Sequence, residues 1–169
     1  AETDAVEPEI TVWQGKFIAA KTRGRWEYVS RTRGMKAAVI LAVEDGHVLL
    51  VEQWRVPLGR PCLELPAGLV GDHEEGEDPL VAACRELEEE TGWRADTLTD
   101  LGEYYSSPGV ISESFTLVRA TGLSQIGEGG GVEGEGITPH RVALSDLPAF
   151  IAAKRAEGCA IDMKVTLLM

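Results

Sequence analysis

Short apolar runs separated by turn residues fill most of the chain, which predicts a protein built mainly of strands. Three such runs, ITVWQG, KFIAAK and RWEYVSR, lie within residues 9–34. The next segment, AAVILAVEDGHVLLVEQWR, has two apolar runs around Asp45 and Gly46, a pair that favours a tight hairpin turn. These patterns predict a small antiparallel unit followed by a hairpin whose two faces are both covered.

Helix signals follow the hairpin. Asp78 suits the N-cap position, Pro79 suits the first helical position, and Gly92 suits the left-handed residue after the last turn. The segment predicts a helix over about 79–91. The segments YYSSPGVISESFTLVRATGL and ITPHRVAL read as further strands, so the predicted fold class is α+β, with a mixed sheet and few helices.

This helix and a second one, in SDLPAFIAAKRAEG, differ in their charges. The second helix has Asp146 early and Lys154 late, as the helix dipole favours. The first ends in RELEEETG, where four glutamates occupy the last turns, at the partly negative end of the dipole. A departure from the rule without a structural gain indicates a functional site, and a metal ion is the natural neutraliser of clustered carboxylates.

Composition narrows the possible functions. The chain has 169 residues, 44% hydrophobic and 26% charged, which is typical of one globular domain. Its net charge of −12 argues against nucleic acids and anionic membranes as partners. The segment AETDAVEPEI does not resemble a signal peptide, and we expect a cytoplasmic location. The three cysteines are predicted to be buried free thiols.

One motif carries specific chemistry. The chain fits G-x5-E-x7-R-E-U-x-E-E-x-G-U, where U is apolar, and this pattern resembles the Nudix box. The matching residues are Gly71, Glu77, Arg85, Glu86, Leu87, Glu89, Glu90, Gly92 and Trp93. The helix signals independently place this motif as a loop followed by a helix, which is the context that the resemblance requires. The resemblance implies a Nudix-type mixed sheet sandwiched by helices.

Further segments resemble the ADP-ribose pyrophosphatase branch of that family. These are VEQWRVP, LELPAG, and SSPG followed by Glu113. In this branch a proline about fifteen residues after the box marks a preference for ADP sugars, and Pro108 has this spacing from Trp93. The branch also has its motif glycine in a PAG tripeptide, here ending at Gly68. Gly68 to Glu77 is nine residues instead of six, so we interpret GDHEE as belonging to a loop with a three-residue insertion between Gly68 and Glu77.

The resemblance also implies residue roles at the helix. The carbonyl of Ala67 and the carboxylates of Glu86 and Glu90 would bind Mg²⁺, with Mn²⁺ as the alternative and two or more ions in all. Glu89 would be a further ligand or a catalytic group, and Arg85, four residues earlier, would orient it. Hard oxygen ligands of this kind are those that magnesium prefers.

Substrate contacts are implied by the same resemblance. Arg55 would bind phosphate, since its planar guanidinium matches phosphate oxygens. Glu64, Pro108 and Glu113 would contact the rest of the substrate.

A glycine-rich segment, GEGGGVEGEG, covers residues 127–136. We expect a mobile lid here, because glycine gives the backbone freedom and a lid must open and close. In the resembling enzymes a loop at this place supplies the catalytic base and a metal ligand from two glutamates spaced by two. Glu133 is therefore predicted as the general base and Glu135 as a metal ligand, with Glu128 as the alternative base.

The implied activity is Mg²⁺-dependent hydrolysis of the diphosphate linkage of ADP-ribose or a related nucleoside diphosphate sugar, giving AMP and ribose 5-phosphate. One alternative is GDP-mannose or another nucleotide sugar as substrate. The other is a regulatory module that keeps the fold without turnover, although such a module should have lost a box glutamate. We also expect a homodimer, with residues 1–34 as a dimerisation unit and residues 35–169 as the catalytic domain.

Overall fold

The computed structural model of the protein describes residues 2–71 and 76–169. The strands are β1 (Ile10–Gln14), β2 (Ile18–Arg23), β3 (Trp26–Arg31), β4 (Lys36–Glu44), β5 (His47–Arg55), β6 (Arg60–Glu64), β7 (Ala67–Val70), β8 (Trp93–Tyr105), β9 (Ser114–Gln125), β10 (Thr138–Ala143) and β11 (Ala160–Ile161). The helices are α1 (Glu2–Ala5), α2 (Pro79–Glu86), α3 (Leu147–Ala156) and α4 (Met163–Thr166), with a 3₁₀ turn at Val56–Leu58 and a π-helical turn at Leu87–Thr91.

The N-terminal unit is a separate antiparallel sheet in the order β1-β2-β3, as the sequence predicts. Its edge strand β3 is joined to the segment before β9 by two backbone hydrogen bonds. The Val29 N–H donates to the Val110 carbonyl at 2.9 Å, and the Ser112 N–H donates to the Val29 carbonyl at 3.0 Å. The outer strand β1 is exposed along its whole length. The unit is thus attached at one edge and open at the other.

The larger sheet is mixed, as predicted. Its order is β11-β6-β5-β4-β9-β8, with β10 paired to β5 and β7 paired to β4. The β4–β9 and β11–β6 pairs are parallel, and the other pairs are antiparallel. The predicted hairpin joins β4 to β5 through Asp45 and Gly46, both with positive φ. Beyond the turn the two strands take other partners, so β7 starts beside β4 at the open side of the sheet.

Both faces of this sheet are covered, which explains why β4 and β5 lack clean polar alternation. On one face, Val48 and Leu50 pack with Leu147 and Ile151 of α3. On the other face, β4 and β9 pack against α2. That second cluster is Ala38, Ile40, Ala42, Leu49, Ala82, Ala83, Leu87, Val118 and Ala120. The two helices are therefore fixed on opposite sides of one sheet.

The helix predicted over 79–91 is present, but it changes type along its length. Asp78 caps it by accepting a hydrogen bond from the Leu80 N–H at 2.7 Å. The α-helix ends at Glu86, a π-helical turn continues from Leu87 to Thr91, and Gly92 closes it with a φ of 75°. The hydroxyl of Thr91 donates to the Leu87 carbonyl at 2.5 Å within this turn. Glu89 and Glu90 of the box thus lie on a widened turn, a feature often found at functional sites.

Three other predictions bear on the fold. The three cysteines are free thiols, and Cys62 and Cys159 are buried whereas Cys84 is half-buried. None of the helices in the described residues is both long and apolar enough to span a bilayer. The predicted insertion falls largely on residues 72–75, which lie outside the described residues.

Candidate active site

The end of α2 and the widened turn together present two carboxylates that are at least partly buried, Glu86 and Glu90. The side chain of Glu90 is buried and accepts a hydrogen bond from the Ala67 N–H at 3.0 Å, where β7 begins. Glu86 is half-buried and fits against Gly68, where a Cβ would overlap the Glu86 side chain. The PAG tripeptide therefore has a spatial meaning: its alanine meets one box glutamate and its glycine leaves room for another.

Burial makes both carboxylates costly to ionise. Burial raises the pKa of Glu90 to about 8, and the nearby Glu86 and Glu135 carboxylates add to this rise. The Ala67 N–H and Arg55 oppose it. Burial also raises the pKa of Glu86, with further rises from Glu89 and Glu135, against the opposing effect of Arg85. A cation at this place would relieve the repulsion that both groups experience.

Arg85 holds the loop and the helix together. Its Nη1 atom contacts Glu86 Oε1 at 2.6 Å and Glu89 Oε2 at 3.8 Å, and its Nη2 atom contacts Glu77 Oε1 at 3.5 Å. Glu77 in turn accepts a hydrogen bond from the Gly71 N–H at 3.0 Å. The expected contact with Glu89 is therefore present, but the shortest ion pair is with Glu86.

Glu88 points away from this cluster. Its carboxylate pairs with Arg94, Oε1 with Nε at 2.7 Å and Oε2 with Nη2 at 3.2 Å, and it also accepts from the Cys84 thiol. The four glutamates of the helix thus divide as their spacing predicts, with Glu88 on the opposite flank. It serves below as the internal control for the other three.

The glycine-rich segment reaches the same cluster. Glu135 accepts a hydrogen bond from the Val132 N–H at 2.9 Å and lies close enough to raise the pKa values of Glu86 and Glu90. Glu133 is exposed in the turn between Val132 and Glu135, and Glu128 is exposed earlier in the segment. Both predicted loop glutamates are exposed, and Glu135 is the one whose charge raises the pKa values of the helix glutamates.

An open cleft of about 510 Å³ adjoins the carboxylates and contains four of the predicted residues: Arg55, Glu64, Ala67 and Glu113. Arg55 forms a bidentate pair with Glu64, Nε to Oε1 at 2.6 Å and Nη2 to Oε2 at 2.7 Å. Arg55 and Glu64, assigned separately from the sequence, therefore act as one unit on neighbouring strands.

The cleft also contains two cations that the sequence analysis missed. The Arg31 Nε atom contacts Glu113 Oε1 at 2.5 Å, and Lys164 Nζ contacts Asp162 Oδ2 at 2.8 Å. Arg31 comes from the N-terminal sheet and Lys164 from α4, so neither belongs to a local motif. The sequence offered one signal for them: with 16 basic against 28 acidic residues, each basic side chain is a candidate for binding an anionic substrate.

Pro108 lies apart from this cleft. It lines a neighbouring cleft of about 420 Å³ together with Trp26, Tyr28 and Arg23 of the N-terminal unit. Ser106, two residues earlier, lines the first cleft. The Ser-Pro-Gly turn therefore connects the two clefts.

Comparison with known proteins agrees with this geometry. The NUDIX domain family matches residues 32–156, which include the box helix, both central strands and the glycine-rich segment. The chain belongs to the Nudix family. A crystal structure described as that of an ADP compounds hydrolase superposes with a TM-score of 0.67 at 24% identity, over 86% of this chain and 80% of that one. This likeness supports the Nudix fold.

Two characterised relatives carry different names. The chain is 42% identical over 91 residues to an ADP-ribose pyrophosphatase of Bacillus subtilis, covering 54% of this chain and 48% of that protein. It is 38% identical over 119 residues to a methanol dehydrogenase activator of Bacillus methanolicus, covering 70% of this chain and 63% of that protein. The chain thus spans about half to two thirds of the length of these Nudix relatives.

The Nudix helix offers a donor set that fits a divalent cation. Within residues 2–71 and 76–169, no three acidic, histidine or cysteine side chains are placed to hold one ion as they stand. Glu86 pairs with Arg85, and Glu90 accepts a hydrogen bond from the Ala67 amide. A cation would relieve the burial and like-charge repulsion that raise the pKa values of both carboxylates, and carboxylate oxygens are the hard ligands that magnesium prefers. Glu86, Glu90 and Glu135 therefore fit the group if the first two exchange partners.

Proposed function

We propose that the protein hydrolyses the diphosphate linkage of ADP-ribose or a related nucleoside diphosphate sugar in the presence of Mg²⁺. The observation that carries the proposal is the approach of Glu135 to Glu86 and Glu90 beside a cleft that contains Arg55. Carboxylates for a cation and cations for a diphosphate thus lie next to each other. The name of the Bacillus subtilis relative supports the same substrate class.

The metal would be held by Glu86, Glu90 and Glu135 and by the Ala67 carbonyl, with Glu89 as a further ligand. When bound, two or more divalent cations neutralise charge on the diphosphate and activate water. Mg²⁺ is the proposed ion and Mn²⁺ its alternative. Arg85 positions Glu86 and Glu89 rather than contacting the substrate, because all its contacts described above are with carboxylates of the loop and helix.

Cations of the cleft would bind the phosphates. Arg31, Arg55 and Lys164 each contact a carboxylate across the cleft wall. A diphosphate offers the same oxygen geometry with more charge, so it can take over these contacts from Glu113, Glu64 and Asp162. The released carboxylates then become acceptors for sugar hydroxyls.

Hydrolysis needs one proton acceptor on the protein. The water oxygen forms a bond to one phosphorus as the bond from that phosphorus to the bridging oxygen breaks, and the products are two phosphate monoesters. We assign Glu133 as the base that takes the water proton, with Glu128 as the alternative. Glu135, which is nearer to the helix glutamates, has the metal role. Replacing each of the three by Gln separates these assignments.

We also propose a homodimer formed through the N-terminal unit, with the catalytic domain over residues 35–169. Large apolar side chains of this unit are about half exposed, including Trp13 at 57%, Phe17 at 58% and Trp26 at 48%. Apolar patches of this kind on a small sheet favour burial against a partner. Light scattering at micromolar concentration should give twice the chain mass, and a monomer mass would refute the dimer.

A regulatory role is the second candidate, and the methanol dehydrogenase activator among the relatives favours it. A module without turnover has no need of a complete acidic set. Here Glu86, Glu89 and Glu90 are all present, and the charge of Glu135 raises the pKa values of Glu86 and Glu90. We therefore place the regulatory role second.

The test is a panel of nucleoside diphosphate derivatives, ADP-ribose and GDP-mannose among them, assayed with and without Mg²⁺ and with products identified. We expect AMP and ribose 5-phosphate from ADP-ribose only with the metal. Faster cleavage of GDP-mannose would move the specificity to the alternative substrate. If no diphosphate is cleaved above the metal-free control, the hydrolase proposal fails and the regulatory role takes its place.

A further inference from the structure

We infer that Gly129 is a positioning residue, which docks the glycine-rich loop onto the end of the Nudix helix and thereby sets the distance of Glu135 from Glu86 and Glu90. The inference rests on the proposed metal role of Glu135. It assigns a function to a glycine outside the Nudix box.

Backbone hydrogen bonds tie the loop to the box glutamates themselves. The Gly130 N–H donates to the Glu90 carbonyl at 2.9 Å, and the Gly131 N–H donates to the Glu89 carbonyl at 2.9 Å. One turn earlier, the Ile126 and Gly127 N–H groups both donate to the Gly92 carbonyl, at 2.8 and 3.0 Å. The last carbonyls of a helix have no partner within it, and here the loop supplies the donors.

Close packing explains why the loop needs glycine at one particular place. A Cβ at Gly129 would overlap the Thr91 backbone and would lie 2.6 Å from the Glu90 carbonyl oxygen and 2.7 Å from the Gly92 nitrogen. All three are backbone atoms, which cannot move aside as a flexible side chain would. The φ of Gly129 is 69°, a conformation that also disfavours other residues.

Short-range contacts within the loop connect Gly129 to the Glu135 carboxylate, the proposed metal ligand. Gly131 follows Gly129 by two residues, and a Cβ at Gly131 would overlap the Glu135 carboxylate. Glu135 also accepts from the Val132 N–H at 2.9 Å, so its side chain is folded back along the loop. Any displacement at Gly129 is therefore passed through a short segment to the carboxylate. The glycines at 129 and 131 therefore allow close approach, in addition to the backbone freedom predicted for a lid.

Gly127 provides a matched control within the same loop. Among the described residues, a Cβ at Gly127 would meet no heavy atom within 4 Å, and the φ of Gly127 is not positive. Gly127→Ala keeps the N–H that bonds the Gly92 carbonyl. The pair of variants, Gly129→Ala and Gly127→Ala, therefore differs in packing against the helix while sharing the same chemical change.

The experiment is a double-mutant cycle between Gly129→Ala and Glu135→Gln, with Gly127→Ala as the control. Two quantities are measured for each variant: the rise in Tm on adding Mg²⁺, and kcat and KM for ADP-ribose. We expect Gly129→Ala to lower kcat by about 10- to 100-fold with a smaller change in KM, since small misplacements of a catalytic group have effects of this size. The Mg²⁺-induced rise in Tm should fall to that of Glu135→Gln, and Gly127→Ala should match the parent protein.

Coupling is the decisive readout. If Gly129 acts through Glu135, then Gly129→Ala has no further effect in the Glu135→Gln background on either quantity. Independent, multiplying effects would overturn the inference, because they would show that Gly129 only stabilises the fold. Parent-like behaviour of Gly129→Ala would overturn it as well.

Two safeguards keep the test interpretable. If Gly129→Ala does not unfold cooperatively, Gly130→Ala replaces it. Gly130→Ala strains the same loop through a φ of 109°, and among the described residues its Cβ would meet the Ile137 carbonyl oxygen alone, at 3.6 Å. If the parent protein cleaves no substrate, the proposed function fails but the cycle is still read from the Mg²⁺-induced rise in Tm. The two failures are thereby distinguished.

Discussion

Two helices of this protein end in opposite ways. Helix α3 has Lys154 and Arg155 in its last turn, and nearby residues of its own segment close it: the Gly158 and Cys159 N–H groups donate to the Arg155 and Lys154 carbonyls, each at 3.0 Å. The Nudix helix has three glutamates in its last turn, and the loop at Gly130 and Gly131 closes it from a distant part of the chain. Only the first follows the helix dipole.

The two helices differ in which groups complete the hydrogen bonding at the helix end, and this decides whether the side chains there are free to bind a cation. The carbonyls of the Nudix helix receive backbone N–H donors from the glycine-rich loop, so no basic side chain is needed there. The side chains of Glu86 and Glu90 are then available for another partner. Their mutual repulsion and burial are a cost in stability that a bound cation can offset. In α3 the charges stabilise the helix, whereas in the Nudix helix we propose that they bind a cation.

The largest expected effect is on turnover at the acidic helix end. Glu90→Gln should lower kcat by at least about 100-fold, because a neutral amide is a poor ligand for Mg²⁺. The corresponding change at the end of α3, Glu157→Gln, should leave kcat within about twofold. Steady-state kinetics with ADP-ribose compares the two, and a similar loss in both variants would erase the distinction between the helix ends.

The next effect concerns the pH dependence of stability in the absence of divalent metal. Burial and like charges raise the pKa of Glu90 from 4.5 to about 8, so the folded state holds a proton that the unfolded state has released. Stability should therefore fall as the pH rises from about 4.5 to about 8, by up to a few kcal/mol. Denaturant unfolding of Glu90→Gln should show a flatter profile. A profile identical to that of the parent protein would mean that Glu90 ionises freely.

An intermediate effect should appear when the conventional helix is altered. Lys154 Nζ contacts Glu52 Oε2 at 2.9 Å, and both side chains are mostly buried. Lys154→Met should lower the free energy of unfolding by about 1–3 kcal/mol, because it leaves the Glu52 carboxylate with one partner fewer. Its kcat should stay unchanged. Urea unfolding and kinetics on the same preparation give both numbers, and a kcat loss would link α3 to the site.

The smallest effect is expected for the glutamate that faces away. Glu88→Gln removes the partly exposed ion pair with Arg94 and weakens the contact with the Cys84 thiol, so Tm should shift by about 1 °C or less and kcat should not change. It is the matched control for Glu90→Gln on the same turn. A large kcat loss in Glu88→Gln would show that charge on the helix, rather than position, governs the activity.

Local patterns predicted the parts of the molecule that local interactions determine. Asp45 and Gly46 form the hairpin turn because these residue types tolerate the positive φ that the turn requires. Asp78 and Gly92 cap the two ends of the box helix. The division of the helix glutamates into two flanks also follows from helical spacing. Each of these features depends on residues close together in the chain.

Sequence patterns did not predict several features, and most of these depend on contacts between distant segments of the chain. Arg31 and Lys164 reach the cleft from opposite ends of the chain, and nothing in their neighbourhoods marks them. The π-helical turn is a local feature, in which the Thr91 hydroxyl donates to the Leu87 carbonyl, but a regular spacing of 100° per residue does not predict it. The glycines at 129 and 131 suggested freedom, whereas tertiary packing uses them for close contact with Thr91 and Glu135.

The central claim is that the repulsion among buried carboxylates at the end of the Nudix helix is relieved by a divalent cation. The most direct measurement is the Tm of the parent protein and of Glu90→Gln at pH 8, as a function of Mg²⁺ concentration. We expect Glu90→Gln to have the higher Tm without Mg²⁺ and to change little when Mg²⁺ is added, whereas the Tm of the parent protein should rise with Mg²⁺. Equal responses of the two proteins, or a lower starting Tm for Glu90→Gln, would contradict it.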